Sequence, residues 1–377
     1  MQKQTEYISQ LDGLRAIAIA LVIVFHWFPE GEGINIIANG PLGVTLFFVL
    51  SGFLITRILL SSRNYLQSHG FASTYKTFMI RRILRIFPLY YLTLLIIWLV
   101  KYIAFIPQVS TELYTHPFYY VLYLSNFLIE RLHNWSDVLS PFWSLAVEEQ
   151  FYILWPIILL SVKQQYLKSV IILIIVMGII SRGILAVYGY EEGVLMPTCL
   201  DAFGLGALWA YILFYNESPQ KFLKILNILA VAGFALFVFI CLDKGNSLLK
   251  TLFFRTSMSM FCLYFVANAS YAGGFKTFFG KILNNAGLKY IGKISYGLYV
   301  YHMLVPALLL PFVDKLMNRF FHTTFLLNDS SVKVISLIML IVVASLSWYL
   351  FESPFNGLKR YFQLTNRQQK IKANTRF

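Results

Sequence analysis

Ten stretches of about twenty mostly apolar residues follow one another along this chain, at 9–28, 41–60, 88–106, 142–161, 169–189, 198–215, 222–241, 249–267, 290–312 and 332–351. That is the length a helix needs to cross the hydrocarbon core of a bilayer, and a helix satisfies its own peptide groups where no water is present. The expected fold is therefore all-α: a polytopic membrane helical bundle of about ten transmembrane helices, with no soluble domain. Composition points the same way. Of 377 residues, 58% are hydrophobic and only 13% charged, against roughly 25% charged in soluble domains. The mean hydropathy is +0.66. Cys199, Cys241 and Cys262 all fall in apolar runs, and their spacing suggests neither a disulfide nor a metal site.

The net charge of +14 does not call for nucleic acid, because excess Lys and Arg in a membrane protein gather in cytoplasmic loops. It decides the topology instead. The aromatic segment 114–130 is short and begins near Pro117. With ten spans, and 114–130 left as an outer re-entrant or interfacial segment, 21 of the 31 basic residues fall on one side. An eleventh span would put the basic tail outside. The expectation is ten spans with both termini cytoplasmic, a membrane domain over 1–356 and a basic cytoplasmic tail over 357–377. Glu6, the internal charges and the lack of a small-residue cleavage site make the first segment an uncleaved span.

That first span carries Asp12, Arg15 and His26. Ionisable groups inside a bilayer cost several kcal/mol, so they are rarely kept without use. Arg15 and His26 are about three helical turns, roughly 16 Å, apart, and Asp12 lies one turn below Arg15. All three share one face. With the topology above, Arg15 lies toward the cytoplasm and His26 toward the outer half.

Four further stretches carry polar side chains. Lys76, Arg81, Arg82 and Arg85 precede the third span, with Arg82 and Arg85 one turn apart. Two guanidiniums so placed can grip phosphates; a basic amphipathic helix lying on anionic lipid is the other reading. Ser144, Glu148, Tyr152 and Trp155 share a face of the fourth span, expected at about the depth of His26; an interfacial anchor would explain the same acids. Ser295, Tyr299 and His302 share a face of the ninth span, where a histidine bonded within the bundle for packing is the plainer account. Asp201, with Gly204 and Gly206, most simply permits close helix packing. Together these groups suggest a polar cavity running from an inner arginine pair to an outer His and Glu. No Gly-rich phosphate loop, nucleophile elbow or zinc-spaced cluster is present.

Several runs resemble the bacterial acyltransferase family 3 of integral membrane O-acyltransferases, which modify surface and secreted glycans. They are Leu11-Asp-Gly-Leu-Arg15-Ala followed by His26, Gly43–Phe53, Arg82-x-x-Arg85, Asn126, Phe142-Trp-Ser-Leu-Ala-Val-Glu-Glu-Gln-Phe-Tyr152, Ser295–His302 and Glu352-Ser-Pro354. The resemblance implies an acyl-CoA donor, usually acetyl-CoA, from the cytoplasm, bound as a co-substrate with no permanent cofactor. It implies a carbohydrate hydroxyl as acceptor and a bacterial cytoplasmic membrane as location. It makes Arg15, His26, Arg82 and Arg85 the residues expected to matter most. Near Asp201, where the family often has an Arg, this chain has Thr198 and Cys199, and no role is assigned there. Many relatives carry a C-terminal extracytoplasmic esterase-like domain; here such a partner would be separate.

On this reading Arg82 and Arg85, with Arg81 and Lys76, hold the phosphates of the donor. The pantetheine arm threads the stripe between Arg15 and His26. His26 acts as general base on the acceptor hydroxyl or attacks the thioester to give an acyl-imidazole. Glu148 orients His26 or binds the sugar, and Arg15 binds donor or pairs with Asp12. Asn126, Trp143, Ser144, Tyr299 and His302 are the acceptor-binding candidates. The rival functions are a glycan or lipid transporter or flippase, since transport pathways also carry intramembrane charges, and a sensor or scaffold. A transporter would more often show broken helices in paired repeats, and no such pair is found.

Overall fold

The structure, a computed structural model, describes residues 7–37, 39–103, 109–190, 193–242, 248–321 and 329–363. Among them there is no strand, and helices account for nearly all of the regular structure. The first three are α1 (Ser9–Trp27), α2 (Asn39–Ser62) and α3 (Leu66–Val100). α3 breaks at Gly70, whose φ of 74° lies in the left-handed region. From there it runs without interruption through the basic segment and Pro88 to Val100. The expected loop 61–87 is therefore largely helix. Thirty residues give about 45 Å, longer than the roughly 30 Å hydrocarbon core, so α3 exceeds a single crossing by about ten residues. The expected end of this span, at 104–106, lies outside the described residues.

The segment 114–130 forms α4 (Pro117–Val121) and α5 (Ser125–Leu132), separated by a turn in which Tyr123 has φ 55°. Five and eight residues cannot cross a bilayer, which agrees with an interfacial segment. Next come α6 (Phe142–Ser161), α7 (Leu167–Val187), α8 (Leu200–Tyr215), α9 (Pro219–Leu242) and α10 (Leu248–Ser270). The most extensive helix–helix contact joins α2 and α8. Two glycines allow it: a Cβ on Gly52 would sit 2.0 Å from the Phe203 carbonyl oxygen, and one on Gly206 would sit 2.1 Å from that of Val49. Without a hydrophobic drive between helices in lipid, close backbone approach of this kind supplies the packing.

α11 (Phe278–Leu283) and α12 (Ala286–Lys293) are short and lie against α1. The expected ninth span, 290–312, is not one straight helix. α13 (Ser295–Tyr301) is followed by a wide helical turn at Val305–Leu309 and by α14 (Leu310–Phe321), with a bend of 49° between the two halves. Pro306, which has no amide hydrogen, sits in that turn and explains the break. α15 (Asp329–Ser347), a second wide turn at Trp348–Glu352, α16 (Ser353–Gly357) and a last turn at Leu358–Tyr361 complete the described chain. Residues 364–377 of the expected tail lie outside the described residues.

Seven helical stretches among the described residues are long and apolar enough to cross a membrane, and the bent α13–α14 pair makes an eighth. One of the seven, Asn39–Val100, contains both α2 and α3. α10 is long enough but carries Lys250 and Arg255. With α2 and α3 separated, nine helical stretches among the described residues meet the length and hydropathy of a span, and α10 meets the length alone.

Candidate active site

α1, α2, α3, α6 and α13 enclose a cavity of about 580 Å³. It opens into a wider vestibule of about 1210 Å³. Arg57, Arg81, Arg82 and Arg85 line both spaces and so form the neck between them. The inner cavity also holds Arg15, Asp12, Glu148 and Glu149. Five arginines face three carboxylates, which leaves a positive surplus suited to a polyanion.

Several of these charges are held in place. Arg15 Nη1 donates to Asp12 Oδ1 at 2.5 Å, one turn away, and Tyr7 Oη donates to Asp12 Oδ2 at 2.5 Å. The Arg82 guanidinium lies 5.6 Å from the ring centres of both Phe78 and Tyr152, a cation–π arrangement that fixes its plane. Arg85 is exposed into the space between the helices. Glu148 accepts from Ser51 Oγ and from Tyr152 Oη, both at 2.9 Å. The Glu149 carboxylate is buried, and its Oε1 has no hydrogen-bond partner.

Glu148 therefore sits with the arginines and not beside His26. The reason is depth. Glu148 is six residues, about 9 Å, into α6, whereas His26 is one residue from the end of α1. The end of α1 and the start of α6 lie at the same face of the bundle, so the two groups differ in height by several ångströms.

At that face the cavity ends on Tyr299 and Ser144. Their hydroxyls are 2.5 Å apart, and Tyr299 Oη also donates to the Pro141 carbonyl at 3.0 Å. Beyond Tyr299 lies His302, 1% exposed, its ring centre 5.5 Å from that of Tyr299 and 4.9 Å from that of His26. Trp27 Nε1 donates to the His302 carbonyl at 3.0 Å and ties the end of α1 to α13. His26 Nδ1 lies 2.9 Å from the Val22 carbonyl, and His302 Nδ1 lies 2.6 Å from that of Tyr299. A carbonyl oxygen only accepts, so in each neutral ring the proton sits on Nδ1 and Nε2 presents a bare lone pair. His302 Nε2 is buried with no partner. His26 lines neither cavity. The polar path expected from arginine to histidine is thus not open along its whole length: Tyr299 lines the cavity, and the histidines do not.

The other expected site residues divide. Ser144 and Tyr299 line the cavity. Arg81 lines it too, but its Nη1 donates to the carbonyls of Lys359 at 3.3 Å and Phe362 at 2.9 Å. Lys76 is exposed and lines neither space. Asn126 is fully buried away from both cavities, in an amide pair with Gln150: Asn126 Nδ2 donates to Gln150 Oε1 at 3.3 Å and Gln150 Nε2 to Asn126 Oδ1 at 2.9 Å. Trp143 packs edge-on against Phe48 and Trp135. Asp201 belongs to a separate buried network. Arg182 donates to both its carboxylate oxygens at 3.0 Å, and Thr256 Oγ1 donates to Oδ2 at 2.6 Å. Arg57 and Glu149, which also line the cavity, are not among the expected site residues. Arg57 lies near a span end, where an arginine reads as a topology anchor, and Glu149 reads as a duplicate of its neighbour. Among the described residues, no group of three or more His, Cys, Asp or Glu side chains is arranged to hold a metal ion.

A family-wide profile of the acyltransferase domain matches residues 8–352. The chain belongs to the acyltransferase 3 family. That span takes in all the helices lining the inner cavity and both histidines. Curated relatives of this acyltransferase-family chain include the peptidoglycan O-acetyltransferase OatA of Listeria monocytogenes, 28% identical over 379 positions, covering 95% of this chain and 57% of that protein. The O-acetyltransferase OatA of Staphylococcus aureus is 27% identical over 320 positions, covering 78% and 50%. A putative O-acetyltransferase of the same species is 29% identical over 387 positions, covering 95% and 59%. The chain thus spans between half and three-fifths of these relatives. No solved structure matches it.

Proposed function

We propose that this protein is an integral membrane O-acyltransferase that moves an acyl group, acetyl by the names of its relatives, from cytoplasmic acyl-CoA to a hydroxyl of a cell-envelope glycan. One observation carries the reading: a single cavity has an arginine-lined neck and, among its other lining residues, Tyr299, whose ring packs against His302, which in turn packs against His26. Phosphates at the neck would leave the thioester arm pointing along α1 toward His26.

In this mechanism Arg57, Arg82 and Arg85 bind the pyrophosphate, and Arg15, braced by Asp12, lies along the arm. Tyr299 swings aside to admit the thioester. His26 Nε2 takes the proton of the acceptor hydroxyl as its oxygen bonds to the acyl carbon. The carbon–sulfur bond then breaks and the CoA thiolate departs, its charge drawn back toward the arginines. The His26 imidazolium returns the proton to the thiolate or to solvent. The vestibule faces the cytoplasm by the distribution of Lys and Arg, which puts both termini there and the histidine pair at the outer face of a bacterial cytoplasmic membrane.

The test is turnover of labelled acetyl-CoA by reconstituted protein with a mixed glycan acceptor. Wild type should transfer acetyl groups, and His26→Ala should lose transfer by at least about 10²-fold with an unchanged melting temperature. Full activity in His26→Ala would remove His26 from the chemistry. No turnover and no acetyl-CoA binding would favour a transporter.

A further inference from the structure

The vestibule is completed by the far end of the chain. Lys359, in the turn after α16, lines the vestibule but not the inner cavity. Its position is imposed by α3: Arg81 donates to the Lys359 and Phe362 carbonyls, and these two bonds clip the C-terminal turn beside the neck. Asn356 accepts from Lys359 Nζ and itself donates to the Glu352 carbonyl at 3.0 Å, so the ammonium is held within the turn. A lysine nearly 280 residues from the arginine motif is thereby brought to the same space.

The geometry separates two classes of cation. The arginines sit at the neck, where a pyrophosphate must lie if the arm enters the inner cavity. Lys359 stands on the vestibule side only. A CoA thioester has one further charge in that direction, the 3′-phosphate of its ribose; a thioester carried on phosphopantetheine has none. The vestibule, at about 1210 Å³, has room for a nucleotide.

We propose that Lys359 reads the 3′-phosphate of the acyl-CoA donor, with Arg81 as the residue that positions Lys359. This rests on the acyl-CoA reading above and adds the residue that recognises the nucleotide. Arg81 then serves the donor through the C-terminal turn.

The experiment is equilibrium binding of CoA and of 3′-dephospho-CoA to the full chain in detergent. Wild type should prefer CoA by about ten-fold or more, the range of one charge-assisted hydrogen bond. Lys359→Met should weaken CoA to the level of 3′-dephospho-CoA and leave 3′-dephospho-CoA binding unchanged, which also reports a folded neck. Arg81→Gln should erode the same preference, and the double variant should lose no more of it than Lys359→Met alone, because both act through one contact. Equal binding of the two nucleotides by wild type, or equal weakening of both by Lys359→Met, would overturn the inference and leave the donor reading standing. Failure of wild type to bind either would overturn both.

Discussion

His302 is the residue whose environment asks most of a functional account. Its Nδ1 hydrogen bond to the Tyr299 carbonyl would be enough for an anchor. Its Nε2, buried and unpartnered beside His26, is not explained by anchoring, since an unmet buried acceptor costs about 1–3 kcal/mol. Substitution can separate the two atoms. Asparagine keeps an N–H near the Nδ1 position and has nothing at Nε2. If the lone pair serves the proton traffic of His26, His302→Asn should retain the melting temperature and lose kcat by about 10²-fold, as should His302→Ala. Near-normal turnover in His302→Asn would reduce His302 to a clasp on Tyr299. The presence of His302 on a polar face was legible from its spacing to Ser295 and Tyr299. Its pairing with His26 was not, because that depends on how α13 meets the end of α1.

At the scale of elements, two features outside the proposed chemistry make separate predictions. Arg182 of α7 and Asp201 of α8 form a bidentate pair that is almost fully buried. Removing one partner leaves a buried charge, at a cost of about 3–5 kcal/mol. Asp201→Ala should lower the melting temperature sharply, and Arg182→Met with Asp201→Leu together should recover much of it. The loop between α3 and α4 is held through Glu112, whose carboxyl is kept below its ordinary 4.5, first by the Asn134 side chain and then by Thr115 and His116. The lowered folded value means that the ionised form stabilises the loop above pH 4.5 and that this contribution disappears as pH falls through the folded value. Wild type should therefore lose melting temperature faster than Glu112→Gln below about pH 4.5; parallel curves would show that the contact carries no stability. The long helices were readable because length and hydropathy alone decide them. The bend at Pro306 and the helix beneath the basic segment were harder to read. A proline near the end of an apolar run looks like a terminus, and an amphipathic helix continuous with a span looks like a loop when only hydropathy is followed.

Across the whole molecule, the arrangement amounts to a bundle with an arginine-lined cavity and a histidine pair that Tyr299, at the cavity wall, packs against. The arginine motif and both histidines were visible in the chain, as was their separation along a shared axis. The entrance itself was not visible in full, since Arg57 and Lys359 come from elements far apart in sequence and only the fold gathers them. The height of Glu148 was misjudged for a related reason: spans can be placed from hydropathy, but the depth of one residue depends on where its helix begins. The central claim is that an acyl group taken up at the arginine face leaves at the histidine face. The most direct test is a sided one, in proteoliposomes of uniform orientation with labelled acetyl-CoA on the vestibule side and a membrane-impermeant glycan on the other. The account predicts labelled ester on that glycan with wild-type protein and none with His26→Ala. Ester formed only when donor and acceptor share a compartment would contradict it.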